Sequence, residues 1–158
     1  MRDMGLVEVR MSAPDETPVV VLKEAEGPRH LAIWMSANGA AAVLSALEPP
    51  DPDHPTCHDL VVDVVEILSR RIEAVHIVGH QEGHFYAEII VAGDAVPARP
   101  SDALAVALRA GCPIRCAEGV LAAVGIAYGG ADEEAAGPAD AVVEKFREFL
   151  DSVNPDDF

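Results

Sequence analysis

Thr56 to Val91 reads TCHDLVVDVVEILSRRIEAVHIVGHQEGHFYAEIIV, and this stretch decides the fold class. In 57–70 the apolar residues Cys57, Leu60, Val61, Val64, Val65 and Leu68 recur at helical spacing, the pattern of an amphipathic helix. Thr56 and Asp59 match a capping box, in which a hydroxyl and a carboxylate satisfy the first free N–H groups. The period then changes. Ile72, Val75 and Ile77 in 72–80, and Phe85, Ala87, Ile89 and Val91 in 84–92, read as two strands around Gln81-Glu82-Gly83.

Working outward, residues 5–11 alternate as a half-buried strand, and 18–24 and 30–35 form a hairpin across Gly27-Pro28. Residues 37–48 are rich in Ala and Leu and read as a helix, after which Pro49, Pro50, Pro52 and Pro55 forbid regular structure. A short strand is expected near 95–99. Ser101 is expected to cap a helix over 102–110, apolar on nearly every face and therefore buried, which Gly111 and Pro113 end. A strand at 114–116 and a helix at 118–124 follow. The sum is an α/β (α+β) domain over 1–127, a mixed sheet covered by helices. Residues 128–139 read as a Gly, Ala and acid linker. Residues 140–158 read as a tail whose helix carries Val142, Val143, Phe146 and Leu150 on one stripe.

The 158 residues suffice for one full core. The formal net charge of −16 and the scattered basic residues, with Arg70-Arg71 the only adjacent pair, exclude a strongly basic nucleic-acid grip. No apolar run approaches the roughly 20 residues of a membrane span. The first residues, Met1-Arg2-Asp3-Met4, do not read as a signal peptide. Cys57, Cys112 and Cys116 form no disulfide framework, and the last two read as small buried side chains, so a cytoplasmic protein is expected.

Two polar clusters can carry chemistry. His54, Cys57, His58 and Asp59 stand at a helix start, where imidazole and carboxylate can act as acid and base or hold a divalent ion. The structural alternative is that Asp59 only caps. Arg99, Ser101 and Asp102 stand at the start of the buried helix, where N–H groups and an arginine make an anion site. The alternative there is that Arg99 pairs with Asp59 or Asp102. His76, His80 and His84 read as surface residues, because on a strand His76 and His80 stand about 13 Å apart.

Pro18–Leu22, Leu31–Met35, His58-Asp59-Leu60, Phe85-Tyr86-Ala87, Ala98–Ala103 and Pro113-Ile114 resemble, in order and spacing, the bifunctional nuclease domain family over about residues 5–125. The tail resembles the C-terminal extension of actinobacterial members. The resemblance implies a mixed α/β fold that self-associates, with a dimer as the first expectation. It also implies cleavage of DNA and RNA without strong sequence specificity. Carried onto this chain, the implied site is His58, Asp59, Arg99, Ser101 and Asp102. Asp59 and Asp102 would hold Mg²⁺ or Mn²⁺ or position water, Arg99 with Ser101 would meet the phosphate, and His58 would move a proton. No organic cofactor is expected, and DNA or RNA would bind weakly. Two departures stand out. Ser36 and Gly39 occupy the positions of a family glycine and glutamate, and His54-Pro55-Thr56-Cys57 replaces Arg-Pro-Leu-Thr. A member that has lost activity and serves as a regulatory or protein-interaction module is the other reading.

Overall fold

A computed structural model of the chain describes residues 1–12 and 16–127. Three antiparallel strands open it: β1 (Arg2–Ser12), β2 (Thr17–Glu24) and β3 (Arg29–Trp34). Helices α1 (Ala37–Leu47) and α2 (Cys57–Ile67) follow. A second antiparallel set comprises β4 (Ile72–Gln81), β5 (His84–Val91) and β6 (Asp94–Ala98). The chain continues through α3 (Pro100–Ala110), β7 (Ile114–Cys116), α4 (Glu118–Val124) and β8 (Ile126–Ala127). The sequence reading located each of these except β8, a two-residue strand that pairs with Arg29 and His30. The linker expected at 128–139 and the helix expected within 140–158 lie outside the described residues.

All eight strands belong to one sheet, ordered β6-β5-β4-β7-β1-β2-β3-β8. The two three-stranded sets meet at β7, which runs parallel to β4 and antiparallel to β1. A parallel pair needs a crossover rather than a hairpin, and α3 supplies it. The β4–β5 and β5–β6 turns have positive φ at Glu82-Gly83 and Ala92-Gly93, the backbone of the tight hairpin turn whose twist matches its strands. β1 begins three residues before the alternating segment because Arg2, Asp3 and Met4 pair with β7.

In β2 the residues Pro18 to Leu22 are all buried, so this strand is covered on both faces. That explains its continuous apolar run. Leu22, Leu31, Ile33, Ile77 and Leu104 form the heart of the core. Ala103 to Ala107 of α3 are buried, as its all-round apolar sequence requires, and the helix packs on α1, β4 and β5. Cys116 is fully buried, and burial pushes its thiol up to about 11. Cys112 is only part-buried, and so is His76, contrary to a surface position. The His76 ring is enclosed enough that Nε2 lacks a hydrogen-bond partner. No helix among the described residues is long and apolar enough to cross a membrane.

A four-member ion network joins the start of the sheet to α4. Arg29 donates twice to Glu24, from Nε at 2.9 Å and Nη2 at 2.8 Å, and twice to Glu118, from Nη1 at 2.8 Å and Nη2 at 3.4 Å. Arg2 Nε donates to Glu118 Oε2 at 2.7 Å. Glu24 is buried, and the bidentate arginine is what makes its charge tolerable there. Gly27 is required beside it, since a Cβ would overlap the Glu24 carboxylate. Arg29 first, and Arg2 second, hold the Glu118 carboxyl down at about 2, against an ordinary 4.5. A carboxyl depressed by folding stabilises fully above its unfolded pKa, and that contribution fades as pH falls toward the folded value. Thermal melts from pH 5 down to pH 2 are therefore expected to fall less steeply for Glu118→Gln than for the wild type. Equal slopes would show that the network contributes nothing to acid stability.

Candidate functional site

Among the described helices, only α2 starts with a full capping box. Thr56 Oγ1 accepts from Asp59 N at 3.3 Å, while Asp59 Oδ2 accepts from Thr56 N and Thr56 Oγ1, each at 2.7 Å. This is the expected capping box, and these Thr56 bonds hold the Asp59 carboxyl below the usual carboxylate range. The remaining oxygen, Oδ1, lies 2.7 Å from Arg109 Nε, with side chains 10% and 8% exposed. The Nε–H is not aimed along that line, so the contact is Coulombic rather than a hydrogen bond. Arg109 also donates from Nη1 to the Glu48 carbonyl at 2.6 Å. One arginine thus holds the end of α1, the end of α3 and the start of α2.

This anchoring carries the neighbouring His58 to the start of α3. His58 Nε2 lies 3.3 Å from Asp102 Oδ1. Arg99 grips the same carboxylate as a fork, from Nε to Oδ2 at 2.6 Å and from Nη2 to Oδ1 at 3.0 Å. Arg99 first, then His58, hold the Asp102 carboxyl below its ordinary range, so it is ionised at neutral pH. Arg99 is 78% exposed, Asp102 31% and His58 19%, so the cluster faces solvent from a half-buried floor. Two clefts of about 630 and 520 Å³ lie elsewhere, against the opposite side of α2 and the end of α3.

Ser101 does not cap α3. Pro100 occupies the first helical position, whose missing N–H costs nothing there, and this shifts the cap back to Arg99, which makes no side-chain cap bond. Ser101 instead sits buried inside the first turn, against Gly39. A Cβ at Gly39 would stand 2.8 Å from Ser101 Cβ, so the glycine lets the first turns of α1 and α3 touch. The α1 start is capped separately, by Ser36 Oγ accepting from Gly39 N. The starts of α1 and α3 thus meet at Gly39–Ser101, and those of α2 and α3 at His58–Asp102.

Of the five residues expected at the site, His58 and Arg99 both meet Asp102. Ser101 lies beneath them, and Asp59 turns away into its pair with Arg109. The donor set does not fit a divalent ion shared by Asp59 and Asp102. Both Asp59 oxygens are taken by Thr56 and Arg109, and both Asp102 oxygens by Arg99 and His58. Arg109 is the residue sequence reasoning missed. Its signal was a lone cation late in an otherwise apolar helix, which must find a counter-charge if the helix is buried.

The bifunctional nuclease domain model matches residues 20–128, more than half of the chain. The chain belongs to the bifunctional nuclease domain family. Two uncharacterized proteins of Mycobacterium tuberculosis, Rv1829 of strain H37Rv and MT1877 of strain CDC 1551, are each 43% identical to it. The alignments cover 100% of this chain and 98% of each relative. The family region contains every residue of the His58–Asp102–Arg99 cluster and the Asp59–Arg109 pair that supports it.

Two substitutions test this anchoring. Asp59→Ala leaves Arg109 buried without a counter-charge and is expected to destabilise by about 3–5 kcal/mol in chemical denaturation. A loss under about 1 kcal/mol would mean the pair is replaceable by solvent. Gly39→Ala is expected to lower stability despite the roughly 1 kcal/mol that alanine gains over glycine in a helix. Ser101→Gly should relieve it in the double variant, and strictly additive effects would contradict the close contact.

Proposed function

We propose that this bifunctional nuclease domain hydrolyses phosphodiester bonds of DNA and RNA at the His58–Asp102–Arg99 cluster. The observation that carries the reading is the contact between two helix starts, one bearing an imidazole and the other a carboxylate gripped by an exposed arginine. Ionised Asp102 accepts from His58 Nε2–H, which leaves the lone pair on Nδ1. In that tautomer His58 Nδ1 can take a proton from a water whose oxygen bonds to phosphorus. As that bond forms, the P–O bond to the leaving sugar oxygen breaks, and that oxygen takes up a proton from solvent. Arg99 Nη1 makes no bond within the cluster and can meet a phosphate oxygen. The free N–H groups of the first α3 turn add partial positive charge beside it. Asp59 positions α2 and does not touch the substrate, and Ser101 sets the spacing of α1 and α3.

The open surface at this cluster suits a polymer backbone better than an enclosed small molecule. A net charge of −16 opposes tight binding, so the substrate would be held weakly and at low salt. The other reading, an interaction module without catalysis, is favoured by one observation. The outer face of α2 exposes Leu60, Val61, Val64, Ile67 and Leu68.

Cleavage of single- and double-stranded DNA and of RNA is the direct test, run at low salt with Mg²⁺, with Mn²⁺ and with EDTA. His58→Ala and Asp102→Asn, each checked for folding, are expected to lower the rate by about 10²–10⁴-fold. Arg99→Lys keeps the charge but loses the fork on Asp102, so an intermediate loss is expected. Undiminished cleavage by the first two variants would place the chemistry elsewhere. No cleavage under any condition would favour the interaction module.

A further inference from the structure

Strand β3 ends on an exposed indole that leads directly to the helix starts. Trp34 follows the buried Ile33 and so points to the other face of the sheet, where it is 56% exposed. Directly across the ladder stands the buried Val19, with Arg10 beyond it on β1. Two residues after Trp34, Ser36 caps α1. A Cβ at Gly39 would stand 3.5 Å from Ser36 Oγ and 2.8 Å from Ser101 Cβ. Those contacts and the reach of two extended residues put Trp34 Cα within roughly 17 Å of Ser101 Cα. Arg99 and Asp102 flank Ser101 at the start of α3. The indole thus lies a few nucleotides of an extended strand away from the arginine that would meet a phosphate.

The geometry points to Trp34 as a base-stacking platform, which holds a single strand of nucleic acid while one of its phosphates lies at Arg99. The inference rests on the phosphodiester reading of the His58 cluster and narrows its substrate to single-stranded DNA or RNA. A lone exposed apolar side chain is ordinary on a protein surface, so its chemistry and surroundings must select the ligand. An indole offers a flat π face, and every base of a single strand has a matching one. In a duplex those faces are stacked on one another and out of reach of a ring fixed on a sheet. Charge acts in the same direction. Duplex DNA carries about one negative charge per 1.7 Å of axis against about one per 3.4 Å for one strand, so a net charge of −16 repels the duplex more. Around Trp34 that repulsion is relieved. On its face of β1, β2, β3 and β7, the cations Arg10, Lys23 and Arg115 stand against the acids Asp3 and Glu8.

Trp34 is the only tryptophan in the chain, so indole emission reports on this position alone. The full chain, at low salt in EDTA, is titrated with a short oligothymidylate, with an abasic deoxyribose-phosphate strand of equal length, and with a duplex. Anisotropy of the labelled strand follows binding. Oligothymidylate is expected to quench the emission saturably, and the abasic strand and the duplex to leave it unchanged. Trp34→Ala should weaken oligothymidylate binding about 5- to 150-fold, with an unchanged circular dichroism spectrum and an unchanged affinity for the abasic strand. Trp34→Phe, which keeps a smaller ring, should fall between. No binding of oligothymidylate, binding without a change in emission, or equal quenching by the abasic strand would overturn the platform. The chemistry separates from it in His58→Ala, which should lose cleavage and keep the quench. Quenching by a wild type that cleaves nothing would end the phosphodiesterase reading and leave the strand-binding one. Cleavage that needs His58 but comes without quenching would do the reverse.

Discussion

The carboxylate of Asp59 and the guanidinium of Arg109 meet 2.7 Å apart, almost out of contact with water, and the arrangement around the candidate site depends on that contact. Neither charge could remain there alone, since an unpaired ion at such a position costs several kcal/mol of desolvation. The pair is therefore tolerated rather than strongly stabilising by itself, and its effect is geometric. It fixes the first turn of α2 against α3 near Arg109. From there His58 reaches back to Asp102. The exposed Arg99–Asp102 fork is too well screened by solvent to hold a helix in place. The buried pair positions the helix, and the exposed cluster is where chemistry can occur.

The same contact accounts for the orientation of α2. With Asp59 required on the inner side, a helix whose apolar residues lie on the other side must present them outward. Leu60, Val61, Val64, Ile67 and Leu68 are exposed for that reason. A second constraint acts at Gly39. The α1 and α3 helices lie side by side in the same sense, since Gly39 meets Ser101 at their starts and Glu48 meets Arg109 at their ends. Parallel dipoles repel, and close packing of small side chains such as Ala40 and Ala103 opposes that repulsion. The result is partial positive charge gathered near the helix starts. At Gly39 a side chain has no room, because Ser101 occupies the space it would need.

Much of this was legible in the residue order because it is set locally. The helix over 57–67, its Thr56–Asp59 box and the hairpins at 18–34 and 72–91 follow from period, turn chemistry and capping alone. His58 and Asp102 were singled out because both stand at helix starts, and the fold brings them together. Other features depend on the tertiary structure and are silent in the pattern. A hydrophobic stripe shows that a helix has an apolar side, not which way that side faces, and for α2 an ion pair decided it. Ser101 read as a cap because serine usually is one, but Pro100 moved the helix start back toward Arg99. β8 is too short to have a period, and it exists only because the edge of β3 offers it a partner.

The most direct measurement of the central claim is a phosphate titration of the isotope-labelled full chain followed by amide NMR. If the helix starts of α2 and α3 form one phosphate-recognising site, the largest shift changes should cluster at His58, Arg99, Ser101 and Asp102. They should saturate with a single affinity and weaken in Arg99→Ala. Changes that scatter over the surface, gather on the outer face of α2, or persist undiminished without Arg99 would contradict the account.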